Sequence, residues 1–155
     1  MRPQLKPFLG HKCHFSARVR EFGFVRGPYR RGEPTICLCG LYLYSPGNET
    51  VHVGHAWAHV GKTIAAFNPR YGDRIEFDAW VREYRKVDAK TREEWLDYSI
   101  RRLSNLTLIS PGNGRDFAYF CKKMLRLRAD IFVTDNITVP GTAPIPEGRR
   151  EPCIA

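Results

Sequence analysis

The sequence lacks any apolar run long enough to span a membrane, and its amino terminus lacks the apolar core of a secretory signal peptide. From these absences we expect a cytoplasmic protein with no membrane contact, whose five cysteines stay reduced. No serine or cysteine lies in a nucleophile elbow, and no group of side chains forms a recognisable catalytic set. We therefore expect a protein that is not an enzyme and holds no cofactor.

Acidic residues are scarce relative to basic ones. The 155 residues include 25 Lys and Arg but only 16 Asp and Glu, which gives a formal net charge of +9. Residues 1–33 alone carry eight basic and two acidic side chains. Such an excess favours a polyanionic partner such as nucleic acid, although a solvated basic face or arm has the same composition.

Two segments nearly repeat each other: Phe-Ser-Ala-Arg-Val-Arg-Glu-Phe at residues 15–22 and Phe-Asp-Ala-Trp-Val-Arg-Glu-Tyr at residues 77–84. In both, Phe, Ala and Val occupy alternate positions, a pattern typical of half-buried strands. We expect these apolar side chains to share one core. The outward positions are then Arg18, Arg20, Trp80 and Arg82.

The order of elements predicts a mostly β protein, with strands near residues 11–25, 35–44, 50–60, 74–84 and 97–109. A short helix at residues 62–68 separates the third and fourth strands, and residues 86–94 form a charged loop or short helix. This is the layout of an OB-like five-stranded barrel, in which the first and fourth strands are neighbours. The barrel occupies residues 11–110.

Three further segments flank the predicted barrel. Residues 1–10 contain two prolines and are interpreted as an extended arm, and residues 135–155 as a flexible tail rich in proline and glycine. Residues 111–134 contain an amphipathic helix that packs on the barrel. We favour a capping role for this helix because an apolar stripe usually faces a core, with self-association into a homodimer as the alternative.

Four pieces of sequence support a resemblance to a known class of proteins. They are Arg-Glu-Phe-Gly ending at Gly23, Gly-His-Ala-Trp at 54–57, Gly-Asp-Arg-Ile-Glu-Phe-Asp-Ala-Trp-Val-Arg-Glu-Tyr at 72–84, and Asp-Tyr-Ser-Ile at 97–100. Residues 14–109 thus resemble small OB-fold-like proteins of unassigned function from phages and mobile elements. Trp80 departs from the small or basic residue expected there. The resemblance implies a fold and a setting of nucleic-acid handling or conflict with host defences.

The candidate site combines rings and cations, as single-strand grooves require. On the second strand we expect Tyr42 and Tyr44 to share a face with Ile36 and Leu38, and on the third strand His55, Trp57 and His59 share a face. Either face of the third strand can be the exposed one, because Gly54 can introduce a bulge. The candidate nucleic-acid-binding residues are Arg18, Arg20, Arg26, Tyr29, Arg30, Arg31, Tyr42, Tyr44, His55, Trp57, His59, Lys62 and Arg82.

Two other patterns are weaker. Residues 56–63 fit a loosened P-loop pattern, but the bulky Trp57, His59 and Val60 do not suit a phosphate cradle. The set His11, Cys13, His14, Cys37 and Cys39 lacks the spacing of common zinc sites, and on a hairpin Cys13 and Cys37 would lie roughly 30 Å apart. Buried thiols are the preferred interpretation.

The leading functional hypothesis is non-catalytic binding of single-stranded DNA or RNA by an OB-type barrel. Tyr42, Tyr44 and Trp57 would stack on bases while the arginines and Lys62 neutralise phosphates. The alternative is an interaction protein of phage type that docks its basic face on a host defence enzyme. A magnesium-dependent nuclease using Asp73, Glu76, Asp78 and Glu83 is a third possibility; salt bridges to neighbouring arginines explain these carboxylates more simply.

Overall fold

The computed structural model describes residues 2–25, 32–47 and 49–135, with side chains described as far as residue 126. The described part is mostly β, with five antiparallel strands in one sheet. The strands are β1 (Lys12–Phe24), β2 (Pro34–Tyr44), β3 (Thr50–His59), β4 (Arg74–Val87) and β5 (Glu94–Ser110). A 3-10 helix (Pro3–Phe8) precedes them, α1 (Lys62–Phe67) separates β3 from β4, and α2 (Phe117–Asp135) follows β5.

The near-repeat segments lie side by side, as the sequence predicts. The strand order is β3-β2-β1-β4-β5, and Phe15 on β1 is the cross-strand partner of Phe77 on β4. Their rings stack with centroids 5.7 Å apart. Both side chains are fully buried, together with the Ala and Val of each segment. The repeat therefore supplies the centre of one shared core.

The sheet is not closed into a barrel by hydrogen-bonded strands, since β3 and β5 are its two edges. The amino-terminal segment lies against both edges: Arg2 Nε donates to the His55 carbonyl at 2.6 Å and Arg2 Nη1 to the Tyr98 carbonyl at 2.7 Å. Here the expectation of an extended arm is wrong. Residues 3–8 form a 3-10 helix that starts with Pro3 and buries Leu5 completely, so apolar burial fixes this segment.

A change of face along β2 corrects one expectation about the tyrosines. Ile36 and Leu38 point into the core, but beyond Gly40 the buried residues are Leu41 and Leu43. Gly40 has a φ of +53°, and the register with β3 shifts at this point, as it does in a β-bulge. The extra residue reverses the alternation, so Tyr42 and Tyr44 lie on the outward face, opposite Ile36 and Leu38.

The connection between β4 and β5 is shorter than the sequence predicts. Both strands extend into a long hairpin, and the segment expected as a loop or helix at 86–94 contracts to a turn around Asp88. The Asp88 carboxylate accepts hydrogen bonds from the amides of Lys90 at 2.7 Å and Thr91 at 2.8 Å. This local side-chain capping stabilises a tight turn and frees the flanking residues to pair.

Helix α2 packs its first turns against the end of β1. Ring centroids of Phe22 lie 5.3 Å from Phe117 and 5.4 Å from Phe120, and Phe24 stacks on Phe120 at 5.2 Å. Asp116 caps the helix by accepting from the Tyr119 amide at 2.8 Å. Within the described residues, no helix is both long and apolar enough to cross a membrane.

Candidate nucleic-acid interface

A cleft of about 570 Å³ lies between the two edges of the sheet. We call it the seam cleft, because β3 forms one wall and the β4–β5 hairpin forms the other. Its volume is within the range of small-molecule and nucleotide-sized sites. It is lined by Arg2, Val25, Thr35, His55, Trp57, Ala58, His59, Tyr84, Arg85, Lys86, Val87, Ser99, Ile100 and Arg101.

The aromatic wall comes from β3. Ala56 and Ala58 are buried and face the core, so the alternating positions turn His55, Trp57 and His59 outward into the seam cleft. Trp57 and His55 are half-buried and His59 is exposed. Gly54, with a φ of +98°, marks the bulge that sets this alternation. The structure thus brings together the three ring residues that the sequence assigned to one face.

The opposite wall is cationic. It presents Arg85, Lys86 and Arg101 from the hairpin, all of them exposed. The Lys86 ammonium lies 5.8 Å from the centre of the Trp95 ring, and Arg85 pairs loosely with Glu94 at 3.7 Å. An ion pair this exposed contributes little stability. None of the described residues that line the seam cleft is Asp or Glu.

The pKa of His55 is lowered by burial in the cleft and by neighbouring positive charges. Burial lowers it first, and the charges of Arg2, Lys86 and Arg20 lower it further. All of these influences favour the neutral imidazole.

Arg2 is held at the cleft by a buried carboxylate. Asp97 accepts hydrogen bonds from the amides of Arg2 and Tyr98, each at 2.8 Å, and from the Tyr84 hydroxyl at 3.1 Å. Burial raises the pKa of Asp97, but the hydrogen bonds from Tyr98 and Arg2 and the Arg2 charge outweigh it and hold the pKa below its usual value. Arg2 thus acts as a clamp between the sheet edges, with its charge largely balanced.

The remaining predicted residues that the structure describes do not line the cleft. Arg18 and Arg20 are exposed on β1, and Arg18 lies in one row across the sheet with Cys39 on β2 and His55 on β3. Lys62 is exposed at the start of α1, and Arg82 stacks over Trp80 on the outward face of β4. Arg26, Tyr29, Arg30 and Arg31 lie outside the described residues.

Tyr42 and Tyr44 occupy the other end of the outward face and already contact neighbouring side chains. Tyr42 packs against His52 with ring centroids 4.9 Å apart. The Tyr44 ring lies 5.6 Å from the His14 ring, and its hydroxyl is 3.1 Å from the Ser16 hydroxyl. The structure therefore does not bring these two tyrosines into the seam cleft.

Beside Tyr44 lies a polar cluster that we call the His14 patch: His14, Glu76, Asp78 and Asn105. His14 Nδ1 is 2.8 Å from Asp78, Nε2 is 3.3 Å from Glu76, and Asn105 donates to Asp78 at 2.8 Å. The hydrogen bond to Asp78 raises the pKa of His14, and those from Asn105 and His14 lower the pKa of Asp78. These carboxylates pair with a histidine and an amide, not with the arginines that the sequence suggested.

The weaker motifs find no support as sites. In the P-loop-like stretch, Ala56 and Ala58 pair with β2, so the backbone there belongs to the sheet. Asp73 accepts from the amides of Arg70 and Gly112 and has a structural role. Within the described residues no three His, Cys, Asp or Glu side chains are grouped to hold a metal ion.

The cysteines differ in their state. Cys13, Cys39 and Cys121 are free, but Cys37 is disulfide-bonded. This corrects the expectation that every cysteine is reduced, and the sequence carries no signal for it.

Sequence reasoning missed the cationic wall. The fourth strand was expected to end at Tyr84, and Lys86 begins the segment expected as a loop or short helix, so Arg85 and Lys86 lie beyond the predicted strand. Arg82, Tyr84 and Lys86 continue the alternation of β4 and indicate the longer strand. Arg101 lies within the predicted fifth strand, but it was not among the candidate binding residues. For Arg2 and its contacts with both sheet edges the sequence offers no local signal.

Comparison with known proteins finds no relative of this chain. No protein-family model matches the chain, and neither the curated proteins nor the solved structures include a significant match.

Proposed function

We propose that the protein binds single-stranded nucleic acid, without catalysis, in the seam cleft. The observation that carries this proposal is the pairing of an outward Trp57 with Arg85, Lys86 and Arg101 in a cleft whose described lining contains no acidic residue. A base stacked on an aromatic ring contributes about 1–3 kcal/mol, whatever its sequence. The cations supply phosphate contacts, each of which reduces log affinity by about 0.7 per log unit of salt.

The proposal extends to the fold. The order β3-β2-β1-β4-β5 supports an OB-like barrel, because joining its two edges would give a closed five-stranded arrangement. OB folds bind ligands beside the second and third strands and the connection of the last two. The seam cleft lies between β3 and that connection, which supports the same assignment. A cytoplasmic location and kinship with proteins of phages and mobile elements belong to this proposal.

The test is fluorescence anisotropy of labelled single-stranded DNA, single-stranded RNA and duplex DNA at low and physiological salt. We expect Trp57→Ala to weaken single-strand binding by roughly 10-fold, the equivalent of one lost stacking contact. Trp57→Phe keeps a ring at the same position and serves as the matched control, with retained binding expected. Circular dichroism verifies that both variants fold.

Absence of binding at low salt for wild-type protein would overturn the proposal. The basic outward face would then fit the alternative of docking on an acidic patch of a host enzyme. Equal affinity for duplex and single strands, unaffected by Trp57→Ala, would also overturn it, because it would indicate charge attraction without base stacking.

A further inference from the structure

Trp80 is a large aromatic side chain left half-exposed on the outward face of β4. Its cross-strand partners are Lys12 on β1 and Arg101 on β5, and the Arg82 guanidinium lies 5.5 Å from the centre of its ring. We call these four residues the Trp80 platform. Direct cross-strand partners share one face of a sheet, so Lys12, Trp80 and Arg101 form a row about 10 Å long across three strands.

The Trp80 platform adjoins the seam cleft. Arg101 both lines the cleft and faces Trp80 across the strands. Ser99, another lining residue, is the cross-strand partner of Arg82. A single-stranded nucleic acid that leaves the cleft past Arg101 therefore reaches Trp80 with no gap between the two surfaces.

The chemistry of the platform matches that of a second base-stacking position. An indole partly covered by a guanidinium is a flat, cationic surface, and such surfaces bind bases and phosphates together. The His14 patch limits it on one side, because Asp78 is two residues from Trp80 on the same face of β4. Lys12 acts electrostatically on Asp78, so part of its charge is already balanced. Arg82 and Arg101 are the cations available to phosphates on this surface.

We propose that single-stranded nucleic acid continues from the seam cleft over the Trp80 platform, where one base stacks on Trp80 and adjacent phosphates contact Arg101 and Arg82. This inference rests on the proposed function, since it extends the binding site outward from the cleft. It predicts that affinity depends on length: a three-nucleotide strand occupies the cleft alone, whereas a longer strand covers both surfaces.

The experiment compares oligothymidines of 3, 6 and 12 nucleotides by anisotropy. We expect the wild-type protein to bind the longer strands more tightly, and the double variant Trp80→Ala, Arg82→Ala to lose roughly 10-fold for 12 nucleotides with little change for 3. The control is Arg115→Ala with Tyr119→Ala, which removes a comparable cation–π pair at 4.8 Å on the α2 side of the molecule. Thermal unfolding establishes that both double variants fold.

The outcomes separate this inference from the proposed function. If the 3-mer and the 12-mer bind equally and the Trp80 variant binds both like wild type, the platform is overturned and the cleft stands. If the 12-mer loses affinity equally in both double variants, the effect is not specific to Trp80 and the inference fails. If no oligonucleotide binds, the proposed function itself fails.

Discussion

The seam cleft and the His14 patch lie on the same outward surface, and both contain rings and ionisable groups. In the His14 patch the polar groups bind each other. His14 contacts Asp78 and Glu76, and the Asn105 side-chain amide donates a hydrogen bond to Asp78. The seam cleft is lined by the cations Lys86 and Arg101 together with a half-buried Trp57. Composition alone therefore does not distinguish the two regions; the balance of charge around each ring does.

The largest expected effect is a loss of stability caused by a substitution in the hydrophobic core beneath the two regions. Phe77→Ala should lower the free energy of unfolding by about 3–5 kcal/mol, because it removes a fully buried ring and leaves a cavity beside Phe15. Urea denaturation measures the loss. Leu108→Ala, at a residue that is 46% exposed, is the control and should change stability by less than about 0.5 kcal/mol. Similar losses in both variants would contradict this assignment of the core.

The next effect distinguishes the cleft from the rest of the sheet. Arg2→Ala removes the guanidinium hydrogen bonds to the His55 and Tyr98 carbonyls and the 3.4 Å contact with the buried Asp97, at an expected cost of about 1–3 kcal/mol in unfolding free energy. The hydrogen bond from the amide of residue 2 to Asp97 remains, because alanine keeps that amide. Lys6→Ala, at an exposed position of the same 3-10 helix, is the matched control. Hydrogen exchange of the β3 and β5 amides should increase in Arg2→Ala and stay unchanged in Lys6→Ala. Unchanged exchange in Arg2→Ala would show that the edges hold their places without it.

A third prediction contrasts the charges of the two regions directly. The double variant Lys86→Ala, Arg101→Ala should reduce the slope of log affinity against log salt by about 1.4. Each residue is expected to contact one phosphate, and each such contact contributes about 0.7 to the slope. Glu76→Gln in the His14 patch should leave the slope unchanged. Anisotropy titrations at four salt concentrations give both values. Equal slopes in the two variants would mean that phosphates do not enter the seam cleft.

Most of the fold could be predicted from the sequence, because alternation and turn residues act locally. The repeated Phe, Ala and Val positions predict the strands β1 and β4, and the OB-like order of elements predicts that these strands are neighbours, as the structure confirms. Tyr42 and Tyr44 lie on the face opposite to the expected one because one extra residue at Gly40 reverses the alternation. The change of the apolar positions from Leu38 to Leu41 across this glycine is the signal in the sequence.

The candidate site was half-predictable for a related reason. His55, Trp57 and His59 share a strand, so their common face follows from sequence spacing alone. The opposite wall depends on how β5 approaches β3, and Arg2 contacts both of these edges although they are more than fifty residues away in sequence. Interactions of such long range have no local signature in the chain.

The smallest expected effect is the pH dependence of the His14 patch. The pKa of His14 is raised above 6.5 in the folded protein, so its stabilising contribution is complete below 6.5 and is lost as pH rises through the folded value. The pKa of Asp78 is lowered below 3.8, so its contribution is present above 3.8 and is lost as pH falls through its folded value. Between these limits both groups are charged and the patch is most stable.

Comparing wild type with His14→Gln should therefore reveal a larger difference in unfolding free energy at pH 5.5 than at pH 9, as measured by urea denaturation. The His14 side chain is 45% exposed, so solvent screening keeps this difference below about 1 kcal/mol. A constant difference across this range would mean that His14 contributes to the patch only as a neutral hydrogen-bonding ring, and the contrast with the cationic seam cleft would then rest on the carboxylates alone.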